Sequence, residues 1–275
     1  MTLIRHRSPS LLPKPPDWSS SIDVCGFQFL SPDPEYEPPH DLERFLAAGD
    51  PPIYIGFGSI VADDPDKMMR TLLEAVRQTG CRALISKGWS GIGSNQDEIP
   101  DDVFLLEACP HDWLFRRVLC VVHHGGAGTT AAGLLLGRPT VIIPFFGDQL
   151  FWGSIVARAG AGPSPVPYKE LTAEKLADAI RDALGEEIQK CARQLGAKMS
   201  CENGVKNAVE SFHRHLDLDR LRCEICPDRP AVWYVRPLCI RLSAFAASIL
   251  VHTKHIDPRD IALYVLFKLL LPSLS

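Results

Sequence analysis

Short apolar segments alternate with helical segments between residues 53 and 184, and this alternation is the strongest constraint on the fold. Five segments have the length and character of buried strands: 53–58 (IYIGFG), 81–86 (CRALIS), 102–107 (DVFLLE), 118–124 (VLCVVHH) and 139–145 (PTVIIPF). Helices are predicted at 64–79, 127–137, 148–159, 173–184 and 186–215. Apolar strands joined by helices predict an α/β fold, a doubly wound parallel sheet of Rossmann-like type.

The two ends of the chain differ from this central pattern. Residues 1–52 are rich in proline, which removes backbone donors and disfavours helix, so we expect an extended linker with one short helix at 41–49. The central domain is predicted to span 53–217. Residues 218–275 are expected to form a helical extension, with one helix at 241–251 and another start at Asp257–Pro258.

Composition excludes several classes of function. The 275 residues carry a net charge of −4 and no basic run, which gives no support for a nucleic-acid partner. The nine cysteines lack the spacing of a disulfide framework, and this favours a reducing, cytoplasmic location. The apolar segment 261–271 is shorter than the roughly 20 residues of a membrane-spanning helix. It is expected either to pack on the core of its own domain or to contact a membrane surface or a partner.

The segment HHGGAGTT, from His123 to Thr130, is predicted to lie between the fourth strand and its helix. Its glycines, at 125, 126 and 128, allow a tight turn and close approach of a ligand to the backbone. The helix that follows presents unpaired N–H groups and the positive end of its dipole, and Thr129 and Thr130 add hydroxyl donors. This arrangement predicts a site for a phosphate or diphosphate. A tight turn that serves packing alone is the alternative.

Two more strand ends are expected to lie at the same edge of the sheet. Ser59, in GFGSI, follows the first strand, and Asp148 with Gln149 follows the fifth. A carboxylate beside an amide suits sugar hydroxyls, although Asp148 could instead cap the next helix. Trp89 and Trp152 either line this cleft or are buried against the sheet.

Metal chemistry is weakly indicated. The glycine segment does not match the pattern of a nucleotide-hydrolysing P-loop. Adjacent residues at a strand end point to opposite faces, so we expect only one of His123 and His124 to face the cleft, with no shared metal. A zinc site formed by Cys223, Cys226, His213 and His215 is kept as an alternative, although one C-x-x-C pair is a weak indication.

Read together, PPIYIGFGSI, CPHDWLF and the segment from Val121 to Gly153 resemble the donor-binding C-terminal domain of UDP-glycosyltransferases. They are most similar to the sterol 3-β-glucosyltransferase branch. The resemblance runs from about Leu11 to His215, and it implies the second of the two facing Rossmann-like domains of the GT-B fold.

The resemblance also implies roles for individual residues. The diphosphate is expected at His123 and the backbone after it, with Asp148 and Gln149 on the glucose hydroxyls and His111 beside the uracil. Many plant relatives carry a glutamate for the ribose and a tryptophan for the uracil, where this chain has Ala131 and Ala108. The substrate-binding set is therefore Ser59, His111, His123, His124, Gly125, Gly126, Ala127, Gly128, Thr129, Asp148 and Gln149.

The implied reaction is inverting transfer of glucose from UDP-glucose to the hydroxyl of a sterol or related lipid. UDP-glucose is a co-substrate, and neither a metal nor another cofactor is expected, because the helix end stabilises the leaving diphosphate. Only about ten residues precede the segment that resembles the interdomain linker. We therefore expect the acceptor-binding half, with the histidine that acts as general base, to be missing. The alternative is a nucleotide-sugar-binding fragment without turnover.

Overall fold

The computed structural model describes residues 3–88, 99–216 and 219–264. These residues form two compact units. The larger unit contains residues 5–16 and 24–208, and the smaller unit contains residues 3–4, 17–23 and the described residues from 209 onward. The predicted division of the chain at 52/53 and 217/218 stays a prediction.

The helices and strands are numbered in chain order. The strands are β1 Leu3–Arg5, β2 Ile22–Val24, β3 Ile53–Gly56, β4 Ala83–Ser86, β5 Val103–Leu106, β6 Val121–His123, β7 Thr140–Ile142, β8 Trp233–Val235, β9 Ile240–Leu242 and β10 Ile261–Leu263. The helices are α1 His40–Ala47, α2 Pro65–Thr79, α3 His111–Leu114, α4 Ala127–Leu135, α5 Gln149–Arg158, α6 Ala173–Leu184, α7 Glu186–Ser200, α8 Gly204–His215 and α9 Ala244–His252.

The core of the larger unit is a five-stranded sheet in the order β5-β4-β3-β6-β7. Every neighbouring pair is parallel, as the alternation of apolar strands and helices predicts. Both faces of the sheet are covered. Ile53 and Ile55 of β3 share one buried cluster with residues of α2 and α6, whereas Tyr54 belongs to a second cluster with Leu114 of α3. The doubly wound architecture is therefore confirmed.

Two segments differ from the expectation. The single helix predicted at 186–215 is two helices, because Asn203 begins a new one: its side-chain Oδ1 accepts the N–H of Lys206 at 3.0 Å. The proline-rich N-terminal segment is more than an extended linker. It contributes β1 and β2 besides the expected short helix, α1, and it buries Leu11 and Leu42 in the clusters of the larger unit.

The smaller unit contains the expected helix as α9, together with an antiparallel sheet in the order β10-β8-β9 that the sequence pattern did not indicate. Ala246 and Ala247 are buried, but Phe245 and Ile249 are exposed, since α9 is apolar on nearly all sides and only one side packs on the sheet. Within 3–88, 99–216 and 219–264, no helix combines the length and apolar character needed to cross a membrane. Most of the segment 261–271 lies outside the described residues.

One histidine lies inside the core. His123, the last residue of β6, is fully buried between Gly56 of β3 and Ile142 of β7. Its Nδ1 accepts the N–H of Gly125 at 2.9 Å, and its Nε2 has no partner among the described residues. Burial, and then the charges of His124 and His111, lower the pKa of His123 to about 3, so the folded protein holds a neutral imidazole.

This burial predicts a loss of stability in mild acid. The unfolded chain protonates His123 near its ordinary value of 6.5, whereas the folded chain does not. The contribution of neutral His123 to the free energy of unfolding is therefore complete above about pH 6.5. It falls by ~1.4 kcal/mol for each unit of pH below that value, until the pKa of His123 in the folded protein is reached. Urea unfolding of the native chain and of His123→Asn measures this directly. We expect a smaller acid dependence in the variant, and equal slopes would contradict the assignment. His40→Asn, on an exposed histidine, is the control.

Candidate functional site

The carboxyl ends of β3, β6 and β7 lie side by side in the sheet. Gly56 of β3 pairs with His123 of β6, which pairs with Ile142 of β7. The loops that follow lie side by side. A Cβ built on Gly58 would lie 3.3 Å from Cε1 of His124, and one on Gly88, after β4, would lie 2.5 Å from the carbonyl oxygen of Gly58. The loop carrying the exposed Ser59 is thus placed beside the end of β6, at the edge where open α/β sheets bind ligands.

Gly125 fixes the turn from β6 into α4. Its φ is +92°, and a Cβ there would lie 2.7 Å from Cγ2 of Ile142 and 3.0 Å from the carbonyl oxygen of Gln149. Any other residue would meet both the strained backbone conformation and these two groups. The turn is therefore pressed directly against the start of α5, and Asp148 comes next to the same edge.

The first turn of α4 presents free backbone donors. Gly126 is the N-cap residue and has no side chain to cap the helix. The N–H groups of Ala127, Gly128 and Thr129 are the first of the helix and have no acceptor within it. Gly128 is exposed and Thr129 is half-buried, so both are accessible. Thr130 does not offer the hydroxyl donor that the sequence predicted. It is buried and its hydroxyl donates to the carbonyl of Gly126 at 2.9 Å, so it faces away from a ligand.

Of the two adjacent histidines, His124 is the one at the surface. It is half-buried, and its Nδ1 has no hydrogen-bond partner among the described residues. A Cβ on Gly126 would lie only 2.6 Å from Nε2 of His124, so the imidazole covers the N-cap of α4. Burial lowers the pKa of His124, which favours the neutral ring at pH 7. The expectation that one histidine faces the cleft is met, but by His124.

The expected contact of His123 and the backbone after it with a diphosphate stays a prediction, and the structure buries the His123 side chain. Strand alternation turns His123 into the core, where its exposed fraction is 0%. Its contribution is indirect, because its Nδ1 accepts the Gly125 N–H and so holds the turn.

His111 begins α3, close to the end of β6. Its ring stacks on Phe115 with centroids 4.5 Å apart and meets Tyr54 edge-on at 5.8 Å. Burial lowers the pKa of His111, Asp112 opposes this shift, and the charge of His124 adds to it. Ala108 is exposed and Ala131 is buried. The proposed roles of these positions toward a base or a ribose stay predictions.

Asp148 and Gln149 are placed differently from each other. Gln149 is buried, and its Oε1 accepts the N–H groups of Phe145 and Phe146 at 2.7 and 3.1 Å, so its oxygen holds the loop after β7. Asp148 is exposed at the N-terminus of α5 but does not cap that helix. Its Oδ2 accepts the indole N–H of Trp152 at 2.9 Å. The alternative in which Asp148 serves as a helix cap is therefore wrong.

Trp152 is buried, packs against Phe27 with ring centroids 6.0 Å apart, and orients the Asp148 carboxylate. Our sequence reasoning missed this hydrogen bond, although the spacing of four residues on one helix was visible. Trp89 lies outside the described residues.

The zinc alternative finds no support. In the parts of the chain that are described, no group of three or more His, Cys, Asp or Glu side chains could hold a metal ion. His215 contacts Asp23 at 3.1 Å, and Cys223 accepts the N–H of Cys226 through its Sγ at 3.3 Å.

Comparison with known proteins identifies the family to which this chain belongs. Residues 73–211, just over half of the chain, match the family model described as "Erythromycin biosynthesis protein CIII-like, C-terminal domain". The chain is 46% identical over 209 residues to sterol 3-beta-glucosyltransferase UGT80B1 of Arabidopsis thaliana, and 41% identical over 221 residues to a sterol 3-beta-glucosyltransferase of Aspergillus clavatus. Both alignments cover 76% of this chain. The chain spans 34% of the length of the plant protein and 16% of the fungal one.

Solved structures show the same fold. The glycosyltransferase SnogD from Streptomyces nogalater matches with a TM-score of 0.59 at 20% identity, over 78% of this chain and 56% of SnogD. The glycotransferase of kitacinnamycin matches with a TM-score of 0.64 at 17% identity, over 78% of this chain and 55% of that protein. The parallel sheet with helices on both faces is thus the Rossmann-like C-terminal half of a GT-B fold. This chain belongs to the EryCIII-like C-terminal domain family of the UDP-glycosyltransferases.

Proposed function

We propose that this chain binds the diphosphate of UDP-glucose at the first turn of α4 and serves as the donor-binding part of a glucosyltransferase. The observation that carries the proposal is the half-buried His124, whose Nε2 lies over the N-cap of α4 beside backbone N–H groups that have no acceptor within the helix. Such donors stabilise an anion without a counter-charge from a side chain.

The same geometry suits a leaving group. When an acceptor hydroxyl displaces UDP from the anomeric carbon, negative charge grows on the diphosphate. Donors that are already oriented toward that charge stabilise the transition state more than the ground state. Asp148, held by Trp152, is available to the sugar hydroxyls at the neighbouring strand end. No metal is needed in this proposal, and the general base stays unassigned.

The acceptor class rests on the relatives. Several are named sterol 3-beta-glucosyltransferases, which supports a sterol or related lipid hydroxyl as acceptor and inversion at the anomeric carbon. A solved structure of the glycosyltransferase VinC is described as a complex with dTDP, and it matches this fold with a TM-score of 0.52. A lipid acceptor resides in membranes, so contact of a cytoplasmic chain with a membrane surface belongs to the same proposal.

Removing the His124 imidazole tests the diphosphate site. His124→Ala deletes a hydrogen bond to a charged group, so the affinity for UDP-glucose should fall about 10- to 100-fold. Isothermal titration calorimetry with UDP-glucose measures this effect. His40→Ala, on an exposed histidine, should change nothing. Equal affinity in His124→Ala and the native chain would place the nucleotide sugar elsewhere.

The lowered pKa of His124 gives the proposal a pH dependence. A bound diphosphate favours the protonated ring, so the pKa of His124 is higher in the complex than in the free chain. Affinity for UDP-glucose should therefore rise as pH falls from about 8 to about 6, because the complex takes up a proton. UDP-glucose is the suitable probe, since its phosphates do not titrate in this range.

Calorimetry of His124→Gln should give a nearly flat profile, whereas His111→Gln should keep the slope. The same slope in native protein and His124→Gln would assign the proton to another group.

The second candidate is a nucleotide-sugar-binding protein without turnover of its own, since the backbone donors at the first turn of α4 are sufficient to bind a diphosphate. Incubating the purified chain with UDP-glucose and a sterol, with detection of UDP and of sterol glucoside, separates the two. Binding without product supports the second candidate, and product formation excludes it.

A further inference from the structure

Three arginines converge at the C-terminal end of α4, opposite to the segment from His124 to Thr129, which we call the donor loop. They come from three different elements: Arg116 from the turn before β6, Arg138 from the loop between α4 and β7, and Arg193 from α7. Nη2 of Arg138 donates to the carbonyl of Arg116 at 3.1 Å. A Cβ built on Gly137 would lie 3.2 Å from Cα of Arg193, so α7 is in close contact with the residue next to Arg138. We call these three residues the arginine cluster.

The arginine cluster lacks the carboxylate partners that several other arginines of this chain have. In the described residues, each hydrogen bond from its side chains goes to a neutral oxygen: the carbonyls of Asp112 and Arg116, and the side-chain amide of Gln189. Ion pairs instead occupy arginines elsewhere in the chain, as Arg77–Glu74, Arg181–Asp178, Arg214–Asp23, Arg241–Glu224 and Arg259–Asp257. Acidic residues are not scarce, since 33 of them face 29 lysines and arginines.

Arg138 has a side-chain donor without an acceptor. Its Nε–H is buried and has no partner within the described part of the chain, and a buried unpaired donor is costly. Burial lowers the pKa of Arg138, and the charges of Arg116 and Arg193 lower it further, so both of these arginines repel the Arg138 guanidinium.

The end of α4 does not explain this arrangement. A helix C-terminus carries roughly half a negative elementary charge, which would balance part of one guanidinium but not three. A tetrahedral phosphate offers several acceptor oxygens in different directions and can be shared by several guanidinium groups. The cluster lies about 14 Å from the donor loop, as the length of a nine-residue helix requires.

We propose that the arginine cluster of Arg116, Arg138 and Arg193 is a second anion site, which binds a phosphate group. The phosphate comes either from the medium or from the headgroup of an anionic lipid. This site is independent of the proposed donor function, because it uses none of the residues at the strand ends.

The test follows the Arg138 Nε–H resonance by nuclear magnetic resonance during titration with inorganic phosphate. The titration uses the His124→Ala background, so that phosphate at the donor loop does not contribute. We expect a saturable shift, absent with chloride at equal ionic strength, and at least tenfold weaker binding in Arg193→Gln. Arg181→Gln, which removes an exposed arginine from α6, is the matched control and should bind phosphate like the parent protein.

Two further measurements distinguish loss of the site from misfolding and identify the source of the phosphate. Thermal unfolding with and without phosphate should show stabilisation of the parent that Arg193→Gln lacks, while Arg193→Gln alone keeps its melting temperature because repulsion is relieved. Flotation with phosphatidylcholine vesicles, with and without phosphatidic acid, separates the two sources. Arginine-dependent binding to phosphatidic acid indicates a lipid headgroup, and phosphate binding without it indicates the free ion. No saturable shift, or an equal response to chloride, would overturn the site.

Discussion

The contact of Gly125 with its neighbours is the constraint on which the candidate site depends. With a φ of +92° and no side chain, this residue lets the chain leave β6, turn against Ile142 and the start of α5, and enter α4 after only three residues. That short path puts an imidazole over the first turn of α4. It also presses the loop carrying Asp148 against the same edge of the sheet. A bulkier residue would separate these parts even if every other residue were kept.

The architecture of the sheet was predictable because its signal is local. Each strand is a short apolar segment, and helix α2 has a start signal in Asp64, whose side chain accepts the N–H of Lys67 in the structure. The five parallel strands follow from these features and from general rules of α/β topology. The antiparallel sheet of the smaller unit was not predictable in this way. Its strands are three residues long, and β10 pairs with β8 rather than with β9, its neighbour in the sequence.

The candidate site was predictable in position but only partly in detail. Strand ends of a parallel sheet meet at one edge, so Ser59, the glycine turn and Asp148 were expected together. Which of the two histidines faces outward was harder to predict. A shift of the strand register by one residue would exchange the faces of His123 and His124. Gln149 shows a similar limit. The sequence suggested that this amide contacts sugar hydroxyls. In the structure its oxygen accepts two backbone N–H groups that only the folded loop brings near.

The hydrogen bond between Trp152 and Asp148 has a consequence for how this protein can be divided. Trp152 also packs against Phe27, which belongs to the proline-rich segment before the sheet. A protein shortened to begin at Ile53, where the regular alternation starts, would keep every strand of the five-stranded sheet. It would nevertheless remove an aromatic neighbour from the residue that orients the exposed carboxylate. A protein that begins upstream of Phe27 would keep this aromatic contact together with the sheet.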